Sequence, residues 1–412
     1  MSSYALRKSS FLIAIALVLS LIATPAQAAK SSVTMKAIPA SFVAGESVKV
    51  SGKTAGSLKG AQVRIQIKTG KSWKTVKTVT SKKKNGTWTA TFKAPKATSK
   101  MSIRAISGSK KTKVQAARVL AVVKASPVEP SNRILGLDIS RWQSSAQPID
   151  FTRMAAAGVS FAFIKGSDGL PSEDVLAVPH VTNWAPSAKA AGILVGYYHF
   201  ARIPVTTDSA VVIADAQAQA AQAAARLASL GGYDDRTLPY VLDIERVDAA
   251  ISRELVTLWT FTWLDAMQAT TGRTPIIYSY RSFLSTRFLT DAVTVDKFRN
   301  YHLWLAQPGN PADPASQVGE GLNGAPCYET PWKQSDCSYV WSFWQYTTSG
   351  DRETYGIPWQ PSVGSCPTGV TMCFAGRGTG RSHLDLNVFN GSATDLSALV
   401  NGSWVRTPAE YR

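Results

Sequence analysis

Tyr240-Val241-Leu242-Asp243-Ile244-Glu245 reads as a short buried strand that delivers two acids at its C-terminal end. Residues two apart on a strand share a face, with α-carbons about 6.5 Å apart, so Asp243 and Glu245 point the same way. Apolar runs of the same kind recur on both sides of it. They lie at Ile134–Ile139, Ser160–Lys165, Ile193–Phe200, Pro275–Ser279, His302–Ala306, Val340–Tyr346 and Ser382–Val388, and with Pro239–Ile244 they make eight strand candidates. Helical periods follow the early ones, near Phe151–Ala157, Thr182–Ala191, Ala210–Leu230 and Ser252–Thr270. Strand alternating with helix over this length predicts an α/β fold, a parallel TIM-like β/α barrel. Its later half is irregular, with long loops in place of obvious helices. An open doubly wound sheet shows the same alternation, but no glycine-rich phosphate loop follows the first strand.

Acids recur at the ends of other candidates, as Asp138 in Gly136-Leu137-Asp138-Ile139 and Asp385 in His383-Leu384-Asp385-Leu386-Asn387. In a β/α barrel such ends form the mouth of the active site. Cleaving a glycosidic bond requires a carboxylic acid to protonate the leaving oxygen. It also requires negative charge or a nucleophile beside the developing oxocarbenium ion. Crowded carboxylates resist joint ionisation, so one keeps its proton where its neighbours have lost theirs. Each Asp taken singly also suits a helix N-cap after a strand. That reading explains Glu245 poorly, and it explains four acids at strand ends poorly.

Other residues at these ends are candidates for binding. Lys165 ends an apolar strand, where an unpaired cation is costly, which predicts a carboxylate partner in the cleft. Tyr197, Tyr198, Tyr278, Trp304, Trp344 and Tyr346 either stack on sugar rings or fill the core. His199 either touches substrate or is a satisfied structural histidine. Lys165, Tyr197, His199, Tyr278, Trp304 and Gln345 make up the substrate-binding set. No Cys-x-x-Cys occurs and the histidines are scattered, so neither metal nor cofactor is expected.

Six segments, in order, resemble the glycoside hydrolase family 25 muramidases. They are Gly136–Gln143, Phe161–Gly169, Gly196–Phe200, Leu242–Glu245, Trp344–Tyr346 and Leu384–Phe389, and they cover nearly all of the back domain. The resemblance implies a barrel whose later strands largely lose their helices. It implies a lysozyme that hydrolyses β-1,4 bonds between N-acetylmuramic acid and N-acetylglucosamine. Glu245 matches the general acid, and Asp243 the carboxylate that stabilises or orients the reacting N-acetyl group. Asp138 and Asp385 match two further acids lining the cleft. Two features depart from the family pattern. Ser167-Asp168-Gly169 stands where the family often has Thr-Glu-Gly, and the segments 308–339 and 347–381 are long.

The rest of the chain is of different character. Residues 30–124 hold 22 Lys+Arg against one acid, Glu46, a net +21, while residues 125–412 hold 21 against 26, a net −5. The front alternates in the strand period, as in Val63–Ile67 and Thr87–Phe92. About seven short strands predict a small immunoglobulin-like β-sandwich. Asn85-Gly86 between strand-like runs predicts a hairpin. Residues 125–133 form a linker, and the barrel occupies 134–412. A field of +21 attracts polyanions, and anionic wall polymers are the expected partner. No nucleic-acid motif is present.

Residues 1–28 have the three parts of a signal peptide: Arg7-Lys8, an apolar run from Phe11 to Ala23, and Ala26-Gln27-Ala28. That run is too short for a comfortable membrane span, so export without stable membrane insertion is expected. The four cysteines fit an oxidising compartment and three pairings are open; spacing favours Cys327–Cys337 and Cys366–Cys373. A catalytically inactive, carbohydrate-binding barrel is the rival to the enzyme.

Overall fold

A computed structural model describes residues 30–38, 41–124, 133–144, 147–308, 341–358 and 384–406. The leader, residues 125–132 of the linker, all four cysteines and His383 lie outside the described residues.

The front is all-β. Strands β1 (Ser32–Met35), β3 (Ser47–Ala55) and β6 (Thr87–Lys93) form one sheet. A second runs β2 (Ser41–Val43), β9 (Gln115–Leu120), β7 (Thr98–Ser107), β4 (Gln62–Lys68), β5 (Lys74–Thr80), with β8 (Lys110–Lys111) beside β7. Alternation turns Val48, Val50, Trp88 and Phe92 of the first sheet onto Val63, Ile65, Met101 and Ile103 of the second. Lysines take the outward positions. The Asn85-Gly86 turn forms but is not a hairpin, since β5 pairs with β4 and β6 with β3. The turn passes the chain between sheets. Gly86 has φ 70°, and a Cβ there would stand 2.0 Å from the Thr54 carbonyl oxygen, so only glycine fits the crossing. A tenth strand, β10 (Val122–Lys124), leads out.

Eight strands close the barrel in chain order: β11 (Ile134–Ile139), β12 (Phe161–Asp168), β13 (Leu194–Phe200), β14 (Val241–Asp243), β15 (Ile276–Tyr280), β16 (His302–Ala306), β17 (Phe343–Thr347) and β18 (Asp385–Phe389). The barrel is not wholly parallel. Strand β18 runs antiparallel to both β11 and β17, so the ring closes without a last crossover. Asp385 is therefore the first residue of its strand. It still reaches the mouth, because an inverted strand begins where the others end.

Helices α1 (Phe151–Ala156), α2 (Pro171–Ala190), α3 (Ser209–Ser229) and α4 (Arg253–Thr271) follow the first four strands in the positions expected, except α2. That helix starts well before Thr182. Pro171 opens it, with Glu173 and Asp174 in its first turn, and Pro179 and Pro186 lie inside it. The later half is not bare. Short helices α5 (Arg281–Thr286), α6 (Ala292–Phe298) and α7 (Ala393–Val400) are present.

Inside the ring, Phe163 stacks on Trp304 at 4.3 Å and meets Phe343 edge-on at 5.1 Å. Gly136 and Gly196 clear the space: a Cβ at either would lie 2.3 Å from a ring atom of Phe161 or Phe163 respectively. Leu396, Leu399 and Val400 of α7 seal the end where the parallel strands begin. The front unit meets that same end. Strand β19 (Trp404–Arg406) pairs in parallel with β10, and Arg118 donates to the Gly272 carbonyl at 2.7 Å.

Candidate active site

Register brings the acids together at the opposite end of the ring. Asp138 on β11 lies across from Asp385 on β18, and Asp243 on β14 lies between Phe200 and Tyr278. Glu245 follows Asp243 by two residues, just past the strand, and is half-buried, while Asp138 and Asp243 are only 8 % and 5 % exposed.

Each of the four is pushed toward the protonated form. Burial raises the Asp138 carboxyl to about 6, with the Glu245 charge adding to it and hydrogen bonds from Asn387 and Gln345 opposing it. Burial, then the Glu245 and Asp138 charges, hold Asp243 well above the usual range. Asp385 is raised by burial and by its acid neighbours Asp138 and Glu245. Burial also raises Glu245, against the pull of Lys165, Arg202 and Arg246. Like charges crowded into one poorly hydrated mouth cannot all ionise. One oxygen of Asp243, Oδ1, is buried with no hydrogen-bond partner among the described residues.

Below and beside the acids lie Tyr198, Tyr278, Trp304, Gln345 and Asn387. Gln345 Nε2 and Asn387 Nδ2 both donate to Asp138 Oδ2 at 2.9 Å. The Tyr278 hydroxyl donates to Gln345 at 3.1 Å and the Trp304 indole to Asn387 at 2.7 Å. Tyr278, Trp304 and Gln345 thus lie beside the acids, joined to Asp138 directly or through one side chain. Trp304 reaches it as a buried hydrogen-bond donor, 2 % exposed, and not as an open stacking face.

Two members of the binding set face away. Tyr197 and His199 lie on the outer side of β13, against the helices. His199 is fully buried; Ser167 Oγ pairs with its Nδ1 and Gln219 Oε1 with its Nε2, each at 2.9 Å, and its ring stacks on Trp263. Burial lowers its pKa to about 4, so it stays neutral. Tyr197 packs against Tyr240 in the layer between barrel and helices. Trp344 and Tyr346 lie in that outer layer too. The inward residue of β13 is Tyr198.

Lys165 has its carboxylate partner, Asp168 Oδ2 at 2.6 Å. Arg202 grips Asp168 from the other side, through Nε at 2.9 Å, and both cations lie over the Phe200 ring. Although burial alone raises a carboxyl, Arg202 and Lys165 hold Asp168 below its usual value. The shorter acid in the Ser167-Asp168-Gly169 segment is therefore committed to ion pairs inside the protein. Asn387 and Arg202 were not among the sequence candidates. Asn387 was legible as the residue two beyond Asp385 on one strand face; Arg202 sits in a loop and carries no periodic signal.

A profile of glycosyl hydrolases family 25 matches residues 137–354. Lysozyme M1 of Streptomyces globisporus is 30% identical over 279 residues, covering 66% of this chain and 72% of that protein. The N,O-diacetylmuramidase of Chalaropsis sp. is 30% identical over 160 residues, covering 37% of this chain and 69% of that protein. The uncharacterized protein YegX of Escherichia coli (strain K12) is 26% identical over 281 residues, 67% of this chain and 76% of that protein.

Proposed function

The chain belongs to glycosyl hydrolases family 25, and on that premise we propose that it is a secreted lysozyme cutting the β-1,4 bond between N-acetylmuramic acid and N-acetylglucosamine in peptidoglycan. The observation that carries this reading is the gathering of four carboxyls, each raised above its ordinary pKa, at one end of the barrel. Glu245 is the most accessible of the acids on β14 and its extension, and it protonates the glycosidic oxygen. Asp243, whose buried Oδ1 has no partner among the described residues, accepts the N–H of the reacting acetamido group and holds it in place. Asp138 and Asp385 supply negative charge to the floor of the cleft, which favours an oxocarbenium-like transition state. Lys165 and Arg202, beside Glu245, restrain its rise in pKa.

The test is digestion of purified walls followed by mass spectrometry of the released sugars. New reducing ends on N-acetylmuramic acid support the reading; reducing ends on N-acetylglucosamine, or no release, refute it. Glu245→Gln is expected to lower turnover by about 10² to 10⁴ with the fold intact.

The basic front serves as an electrostatic tether to anionic wall polymers. With 22 Lys+Arg and one acid in residues 30–124, nearly all of these cations have no acid to pair with inside the unit. Binding to purified walls should fall steeply with salt as the Debye length drops from about 10 Å at 0.1 M to about 3 Å at 1 M. Binding indifferent to salt excludes this role.

A further inference from the structure

Accepting Asp138 and Asp385 as part of the cleft, the hydrogen bonds beneath them decide which of the two holds a proton. Trp304 Nε1 lies 2.7 Å from Asn387 Oδ1, and Asn387 Nδ2 lies 2.9 Å from Asp138 Oδ2. Gln345 Nε2 reaches the same Asp138 oxygen at 2.9 Å, and Gln345 Oε1 accepts from the Tyr278 hydroxyl at 3.1 Å. All five side chains are buried.

The direction of this relay is set at one end. An indole N–H only donates. Asn387 must therefore turn its carbonyl oxygen to Trp304 and its NH₂ to Asp138. Asp138 Oδ2 receives two N–H donors, which favours the ionised carboxylate. Asp385 stands opposite Asp138 in antiparallel register, with the two carboxyls in hydrogen-bond reach. Among the described residues no N–H donor reaches the Asp385 carboxyl. Two facing buried carboxyls share a proton, and it settles on the member whose anion is less well solvated by donors.

We propose that Trp304 and Tyr278 are positioning residues: through Asn387 and Gln345 they aim two amide donors at Asp138, hold it as the ionised member of the pair, and leave the shared proton on Asp385. Asp385 then donates to Asp138. The pair presents a single negative charge at a defined place in the cleft instead of one that hops between two sites. The other ionisable groups facing the pair are Glu245, Asp243, Tyr198 and Tyr278.

The experiment is a pH titration of the full chain, with Asp carboxyls labelled with ¹³C and read by NMR. Signals are assigned with Asp138→Asn and Asp385→Asn. Asp138 is expected to lose its proton at lower pH than Asp385. Trp304→Phe keeps an aromatic ring on Phe163 and deletes the N–H. It should raise the Asp138 midpoint by about one unit and lower kcat on walls several-fold with KM unchanged. Tyr278→Phe should act in the same direction and decides the matter if Trp304→Phe does not fold. Deprotonation of Asp385 first, or an Asp138 midpoint unmoved by both variants, overturns the proposal. The titration order does not depend on catalysis, so a failure of the lysozyme reading registers separately, as an absence of released sugars.

Discussion

Replacing Asp138 by Asn removes a buried charge while keeping the shape of the side chain and an oxygen to accept from Asn387 and Gln345. The wild-type carboxyl is moved from 3.8 to about 6, chiefly by burial. Each unit is worth about 1.4 kcal/mol, so holding this group ionised costs the fold about 3 kcal/mol at neutral pH. The folded chain binds this proton more tightly than the unfolded chain does. Its contribution to stability is therefore complete below 3.8, is lost as pH climbs from 3.8 to about 6, and stays lost above that. Asp138→Asn cannot titrate. Relative to wild type it should gain about 3 kcal/mol between the low-pH and high-pH ends of that window, even as lytic activity collapses. Urea unfolding followed by tryptophan fluorescence on both sides of the window measures this. Asp243 and Asp385 titrate lower once the Asp138 charge is gone, which adds to the gain in the same direction. If both proteins lose equal stability across the window, burial is not what displaces Asp138.

Three further outcomes are expected. His199→Ala should lower the thermal midpoint and leave KM on walls unchanged, because the ring faces Ser167, Gln219 and Trp263; a raised KM with an unchanged midpoint would return His199 to the cleft. Gly196→Ala places a Cβ 2.3 Å from the Phe163 ring and should cost about 1–3 kcal/mol, so an unchanged unfolding midpoint contradicts the packing described. Lysis in excess EDTA should match lysis in plain buffer, since acid catalysis by carboxyls requires no metal; loss restored by a divalent cation refutes this.

The barrel was legible because buried strands and amphipathic helices leave different periods, and the positions of β11 and β16 matched the expectation residue for residue. Asp243 and Glu245 were legible as a pair because a strand repeats its face every two residues. The phase of β13 was not. Both of its faces are buried, so alternation vanishes from Leu194–Phe200, and only pairing with β12 and β14 turns Tyr198 inward and Tyr197 and His199 outward. Direction is equally invisible: the five residues Asp385–Phe389 read alike whichever way they run, so the inversion of β18 had no local signature. Pro179 and Pro186 masked the length of α2, where local propensity and tertiary packing disagree. In the front unit, Asn85-Gly86 specifies a tight turn but not which sheet the next strand joins.

The lysine-rich sheets meet the barrel at the end sealed by α7, and the carboxyls open at the other. If those sheets are the anchor, the polymer that grips the enzyme and the strand that enters its mouth approach from opposite poles. Such an enzyme does not feed along the chain it rests on. It works at arm's length, sweeping whatever neighbouring strands fall within the radius of one barrel and its basic unit. Its yield then depends on the local density of the wall more than on the length of any single strand.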